Sequence, residues 1–250
     1  MPTLPPSALA RPLDFSYPSN RVAALGSLGA LLLARRRSGS WKEAVNVAGA
    51  CFLAWATARE LDPDHPWTAN LALPLAFALV ARGAENPLPA AGTMSGLRIL
   101  AGTTGEAPTT VDTAAMLVQA SLSARFGGRA SALLPALAPW ISSRQDTATL
   151  PLLGLLVPPV PAVITGGSSW PALAALALGS WLIRPETISS SCDRAARQVR
   201  DSDVQQARSA ALAVLGVALI GRRPGSQAPL VAAVVMVGLR RFTQRHLLQG

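Results

Sequence analysis

Arg59, Glu60, Asp62, Asp64 and His65 crowd into one short stretch between two apolar runs, bracketed by Trp55 and Trp67. It is the densest group of ionisable residues beside apolar sequence anywhere in the chain. Asp62, Asp64 and His65 could bind a divalent cation. Carboxylates suit Mg or Mn, and imidazole suits Zn and other transition metals. Arg59 could hold a phosphate or a carboxylate. Thr57 and Glu60 share a helix face with Asn46, which would make a polar track leading to the loop. The same residues also spell a turn. Asp62-Pro63 and His65-Pro66 are turn signals, and Asp64 could cap the helix that follows.

Established catalytic patterns are missing. The chain has no GxSxG, Walker A, HExxH or GxGxxG after a strand. His246, the second histidine, lies in a basic tail. On a helix Asp62 and Asp64 would point apart; in a loop they could converge. Asp201 and Asp203, interleaved with Arg200 and Arg208, read as a solvated helix face. An enzyme built on the Arg59–His65 loop needs other polar side chains aimed at it. Asn70, Asp112 and Gln119 are the candidates.

The elements that must position these residues are apolar and short. Hydrophobic residues make up 50% of the 250 and charged residues only 14%, against roughly 25% in a soluble domain. Mean hydropathy is +0.34. So little charge predicts a surface that faces lipid. The net charge is +9, but the arginines form clusters between apolar runs: Arg35-Arg36-Arg37, Arg222-Arg223 and Arg240-Arg241. That placement argues against nucleic acid and for membrane flanks. Cys51 and Cys192 lack partners at ligand spacing and read as free thiols.

Residues 1–20 form a Pro-rich irregular tail without the pattern of a secretory leader. Apolar segments are expected at 22–34, 44–58, 68–81, 111–124, 130–141, 149–165, 170–183, 209–221 and 230–239. Thr109 and Asp112 fit a capping box. Residues 83–110 read as a long loop, and prolines 151, 158, 159 and 161 should kink or split the 149–165 run. Ser189-Ser190-Ser191 could cap a helix, and Asp193 and Arg197 fit a helical pair, so 184–208 reads as a polar connecting helix. The runs fall short of the roughly 20 residues that cross a bilayer. Their recurrence, and Trp41, Trp55, Trp67, Trp140, Trp170 and Trp181 at segment ends, point to the membrane nonetheless.

The expected fold is all-α: a polytopic transmembrane helix bundle of about nine short spans, with a re-entrant or broken segment allowed. The expected partner is the lipid bilayer, with homo- or hetero-oligomers through faces rich in Gly and Ala. Residues 21–37 resemble 208–224, which suggests either a repeat or shared Ala/Leu composition. The expected function is a small transporter or an accessory or structural membrane subunit. The alternative is a membrane enzyme acting on a lipid or isoprenoid phosphate through Arg59–His65. Counting arginine by loop places the N-terminus outside and the C-terminus in the cytoplasm. Arg125, Arg129, Arg222 and Arg223 conflict with that count.

Overall fold

The computed structural model describes residues 7–81, 83–142, 146–160, 169–221 and 223–248. The described chain is all-α, with one isolated bridge between Ser191 and Gln198. Among the described residues nine α-helices and two 3-10 segments follow one another. They are α1 Pro18–Ser38, α2 Trp41–Leu61, α3 Pro66–Val80, α4 Leu88–Ala101, α5 Thr110–Gly127, α6 Arg129–Ile141, α7 Trp170–Leu182, α8 Asp201–Ile220 and α9 Ala228–Leu248. The 3-10 segments are Asp146–Leu156 and Pro224–Gln227.

Local chemistry sets the boundaries. Pro18 and Pro66 open α1 and α3 at the first helical position, where a missing N–H costs nothing. Gly39 closes α1 at φ 69, a left-handed conformation that glycine adopts without strain. Thr109 and Asp112 form the capping box read from the sequence.

Two expectations change. The stretch 83–110 contains α4. Its Gly and Ala residues look like loop, but they are a packing surface. A Cβ on Gly96 would stand 2.8 Å from Leu134 Cγ of α6. The 184–208 connection is a helix only from Asp201. Before that the chain is irregular, because its backbone is used elsewhere: Asp193 and Arg194 N–H donate to the carbonyls of Thr103 and Thr104, both at 3.1 Å. Ser189 and Ser190 cap no helix. Of the 149–165 run, 161–165 lies outside the described residues; the 3-10 segment Asp146–Leu156 packs against α5 and α6.

Helices α1 to α6 alternate in direction, the 3-10 segment Asp146–Leu156 runs back alongside α5, and α7 to α9 alternate again, which gives the bundle two ends. One end carries the α2–α3 turn, the start of α8 and the last turns of α4, α7 and α9. Arg240 of α9 meets Asp62 there at 2.7 Å. The other end carries Arg35–Arg37, Lys42, Arg125, Arg129 and Arg223. The core between them is built largely of alanine, with Val47, Leu61, Leu97, Met116, Leu182 and Leu215 fully buried. Trp55 is also buried, so it marks no surface; its Nε1 donates to Ser19 Oγ at 3.1 Å and to Asn70 Oδ1 at 3.2 Å. No described helix is long and apolar enough to cross a membrane. The longer ones are charged at their ends, and α3, α4, α6 and α7 have 13 to 15 residues.

Candidate functional site

The last turn of α2 carries Arg59 and Glu60 into the bundle end, and Asp62 leaves the helix ahead of Pro63. Glu60 and Asp62 are both buried. A buried carboxylate needs a cation and hydrogen bonds to offset its lost hydration. Each has them, in two separate networks.

Glu60 accepts from Arg98 Nε of α4 at 2.7 Å and from Thr103 Oγ1, with Arg11 Nη1 at 3.4 Å. Arg11 reaches on to Asp193 at 2.7 Å. Arg98 also donates to the Leu9 carbonyl at 2.7 Å. Asp112 accepts from Ser7 Oγ at 2.5 Å and Ala8 N at 3.0 Å. The Pro-rich segment before α1 is therefore tied into the bundle. Arg59 does not pair with Glu60: adjacent residues on a helix diverge, and Arg59 Nε is buried without a hydrogen-bond partner.

Asp62 receives a fork from Arg240, with Nη2 to Oδ1 at 2.7 Å and Nε to Oδ2 at 3.1 Å. This is the bidentate geometry that makes Arg–carboxylate pairs strong. Arg240 Nη1 also donates to Glu186 Oε1 at 2.8 Å. Glu186 Oε2 takes Arg208 Nη2 at 2.7 Å and Arg241 Nη1 at 2.5 Å. Arg208, itself buried, donates through Nε to the Leu61 carbonyl at 2.8 Å. His65 Nδ1 lies 3.1 Å from Asp62 Oδ1. That hydrogen bond raises the imidazole above its usual value, against the effect of burial. Burial alone would raise Glu186. The hydrogen bonds and charges of Arg240 and Arg208 outweigh it and hold the carboxyl down to about 2.

The acidic pair splits. Asp62 faces inward to arginine. Asp64 faces the 184–200 segment, accepting from Ser189 N at 2.9 Å and Ser190 N at 2.8 Å as well as from both hydroxyls. It does not cap α3, whose first turn has no side-chain cap. Among the described residues no three His, Cys, Asp or Glu side chains gather in one group; Asp62 and His65 stay together, while Asp64 turns to Ser189 and Ser190. Asn70 sits in the Ser19–Trp55 cluster, Asp112 holds the N-terminal segment, and Gln119 Oε1 is buried without a partner on α5. They do not converge on the loop.

The stretch the sequence singles out is thus a hub of ion pairs. Its partners Arg98, Glu186, Arg208, Arg240 and Arg241 went unread as site residues. The signal was present: an arginine inside or beside an apolar run must find an acceptor. Scans against protein-family models, curated proteins and solved structures found no match to this chain.

Proposed function

We propose that this chain is an integral membrane protein that serves as an accessory or structural subunit. The observation that carries the reading is an exposed apolar belt. Leu25, Leu28, Leu32 and Leu33 of α1, Leu71 of α3 and Val118 of α5 all lie more than half exposed. Exposed tryptophans stand on either side of this belt: Trp41 and Trp170 begin helices at the basic end, and Trp67 and Trp140 lie at the ion-paired end. Tryptophan favours bilayer interfaces. Helices shorter than the hydrocarbon are accommodated by local thinning and by arginines that reach to the headgroups.

An accessory role fits the ion pairs better than an enzyme acting on a lipid or isoprenoid phosphate through Arg59–His65. Glu60 takes Arg98 on Oε1 and Thr103 on Oε2, and Asp62 takes Arg240 on both oxygens, so both carboxylates are already engaged within the fold. The orientation follows from charge. The end with Arg35–Arg37, Lys42, Arg125, Arg129 and Arg223, whose cations make no ion pair among the described residues, is proposed to face the cytoplasm, and the end whose arginines are held by Glu60, Asp62, Asp193 and Glu186 to lie outside. Counting α4 as a pass removes the conflict at Arg125, Arg129 and Arg223. It also puts Arg240 on the same side as the N-terminal segment, so the C-terminal end of α9 belongs outside. Extraction of native membranes with alkaline carbonate tests the reading. The protein should stay in the pellet and leave it only with detergent; release by carbonate alone would refute it.

A further inference from the structure

We infer that a cleft beside Glu186, lined by Trp181, Arg184, Pro185, Arg241, Gln244 and Arg245, is a binding site for a phosphate group. The cleft holds about 510 Å³, within the range of sites that bury small ligands. Three arginines and one carboxylate line it. That carboxylate is already committed: Glu186 Oε1 takes Arg240, and Oε2 takes Arg208 and Arg241. The cleft therefore presents net positive charge to whatever enters.

The donors are placed for an oxyanion. Arg241 and Arg245 are four apart on α9 and share a face. Arg241 is fixed by hydrogen bonds from Nε to the Trp181 carbonyl at 2.9 Å and from Nη2 to the Arg184 carbonyl at 2.5 Å. Further N–H groups of its guanidinium remain. Arg184 sits over the Trp181 ring, with Cζ 3.7 Å from the centroid, a cation–π contact that holds its guanidinium in place. Arg245 is exposed and makes no ion pair with any described residue. Gln244 gives its carbonyl to Arg240 at 2.6 Å, which leaves its amide NH2 to donate. Arginine forks match phosphate oxygens in pairs. Trp181 and Pro185 supply an apolar wall for the rest of the ligand.

A lipid headgroup and a free phosphate compound share this chemistry. Only the lipid source rests on the membrane reading. The full chain, purified in a phosphate-free nonionic detergent, is titrated calorimetrically with inorganic pyrophosphate and with mixed micelles containing phosphatidic acid or phosphatidylcholine. We expect saturable binding of pyrophosphate, phosphatidic acid or both, and none of phosphatidylcholine. Pyrophosphate binding identifies a free phosphate compound, and phosphatidic acid binding alone identifies the headgroup. Arg184→Gln and Arg245→Gln should each weaken binding about tenfold, while Arg36→Gln at the opposite end leaves it unchanged. The exposed, unpaired Arg245 makes its variant a test that does not depend on the fold. No saturable binding of either phosphate ligand would overturn the site. So would wild-type affinity in Arg245→Gln, or an equal loss in Arg36→Gln.

Discussion

Glu186 holds the charges of Arg208, Arg240 and Arg241 together. Removing its charge would leave Asp62 to face them. Glu186→Gln should therefore destabilise the fold by about 3 kcal/mol, the range for breaking one partner out of a buried pair. The pH dependence follows from sign. The folded carboxyl, at about 2, lies below its ordinary 4.5. Its contribution is complete above about pH 4.5 and is lost as the pH falls toward about 2. Wild-type unfolding temperature should drop across that window, and Glu186→Gln should flatten the drop. His65 runs the other way. Its raised value makes its contribution complete below about pH 6.5, fading as the pH rises through the folded value. His65→Ala should remove that fading. Thermal melts from pH 2 to 9 read both effects.

Asp64 is a second residue whose role the structure redefines. It holds two backbone N–H groups and two hydroxyls of Ser189 and Ser190. Asp64→Ala should cost about 1–2 kcal/mol. The loss should appear as faster amide exchange at Ser190 and Val199, whose N–H reaches the Ser190 carbonyl at 2.9 Å, with the start of α3 unchanged. A helix cap would show the opposite pattern. The sequence located the cluster Arg59–His65 because its density of charge is local. It could not show which acid meets which arginine. Asp62 and Arg240 are separated by most of the chain, and only the fold brings them together.

At the scale of elements, small residues set how closely helices approach. A Cβ on Gly26 would stand 2.8 Å from Leu73 Cδ1, across the α1–α3 contact, whereas one on Gly29 would meet nothing within 4 Å. Gly26→Val should cost about 1–3 kcal/mol through overpacking. Gly29→Ala should be neutral or stabilising by up to about 1 kcal/mol, from helix propensity. Equilibrium unfolding of the two variants separates the effects. The same logic explains which elements were legible. Long runs such as α2, α5 and α8 declare themselves by apolar content, and the Thr109–Asp112 box by its spacing. The α4 helix hides because its helix–helix contacts need glycine at 92 and 96, residues that read as loop. The 193–200 stretch has helical composition, yet contacts with Thr103 and Thr104 hold it irregular.

For the whole molecule, the missed α4 reverses every later pass. With it in place, α1 and α8, the two helices whose sequences resemble each other, run in the same direction. The described arginines at the basic end then meet few acids, Glu43 and Glu85, while those at the other end are matched by Glu60, Asp62, Asp193 and Glu186. One end is thus basic, and at the other many of the arginines are held in ion pairs. That asymmetry in ion pairing is the ground for the proposed orientation in the bilayer.

Site-directed labelling tests the central claim most directly. In intact cells, with Cys51 and Cys192 replaced by alanine, single cysteines are placed at Ser38, Pro63 and Thr243 and treated with an impermeant maleimide. The account predicts that positions 63 and 243 label from outside, and position 38 only after permeabilisation. Labelling of positions 38 and 63 from the same side, or recovery of the protein as a detergent-free monomer in the supernatant, would contradict it.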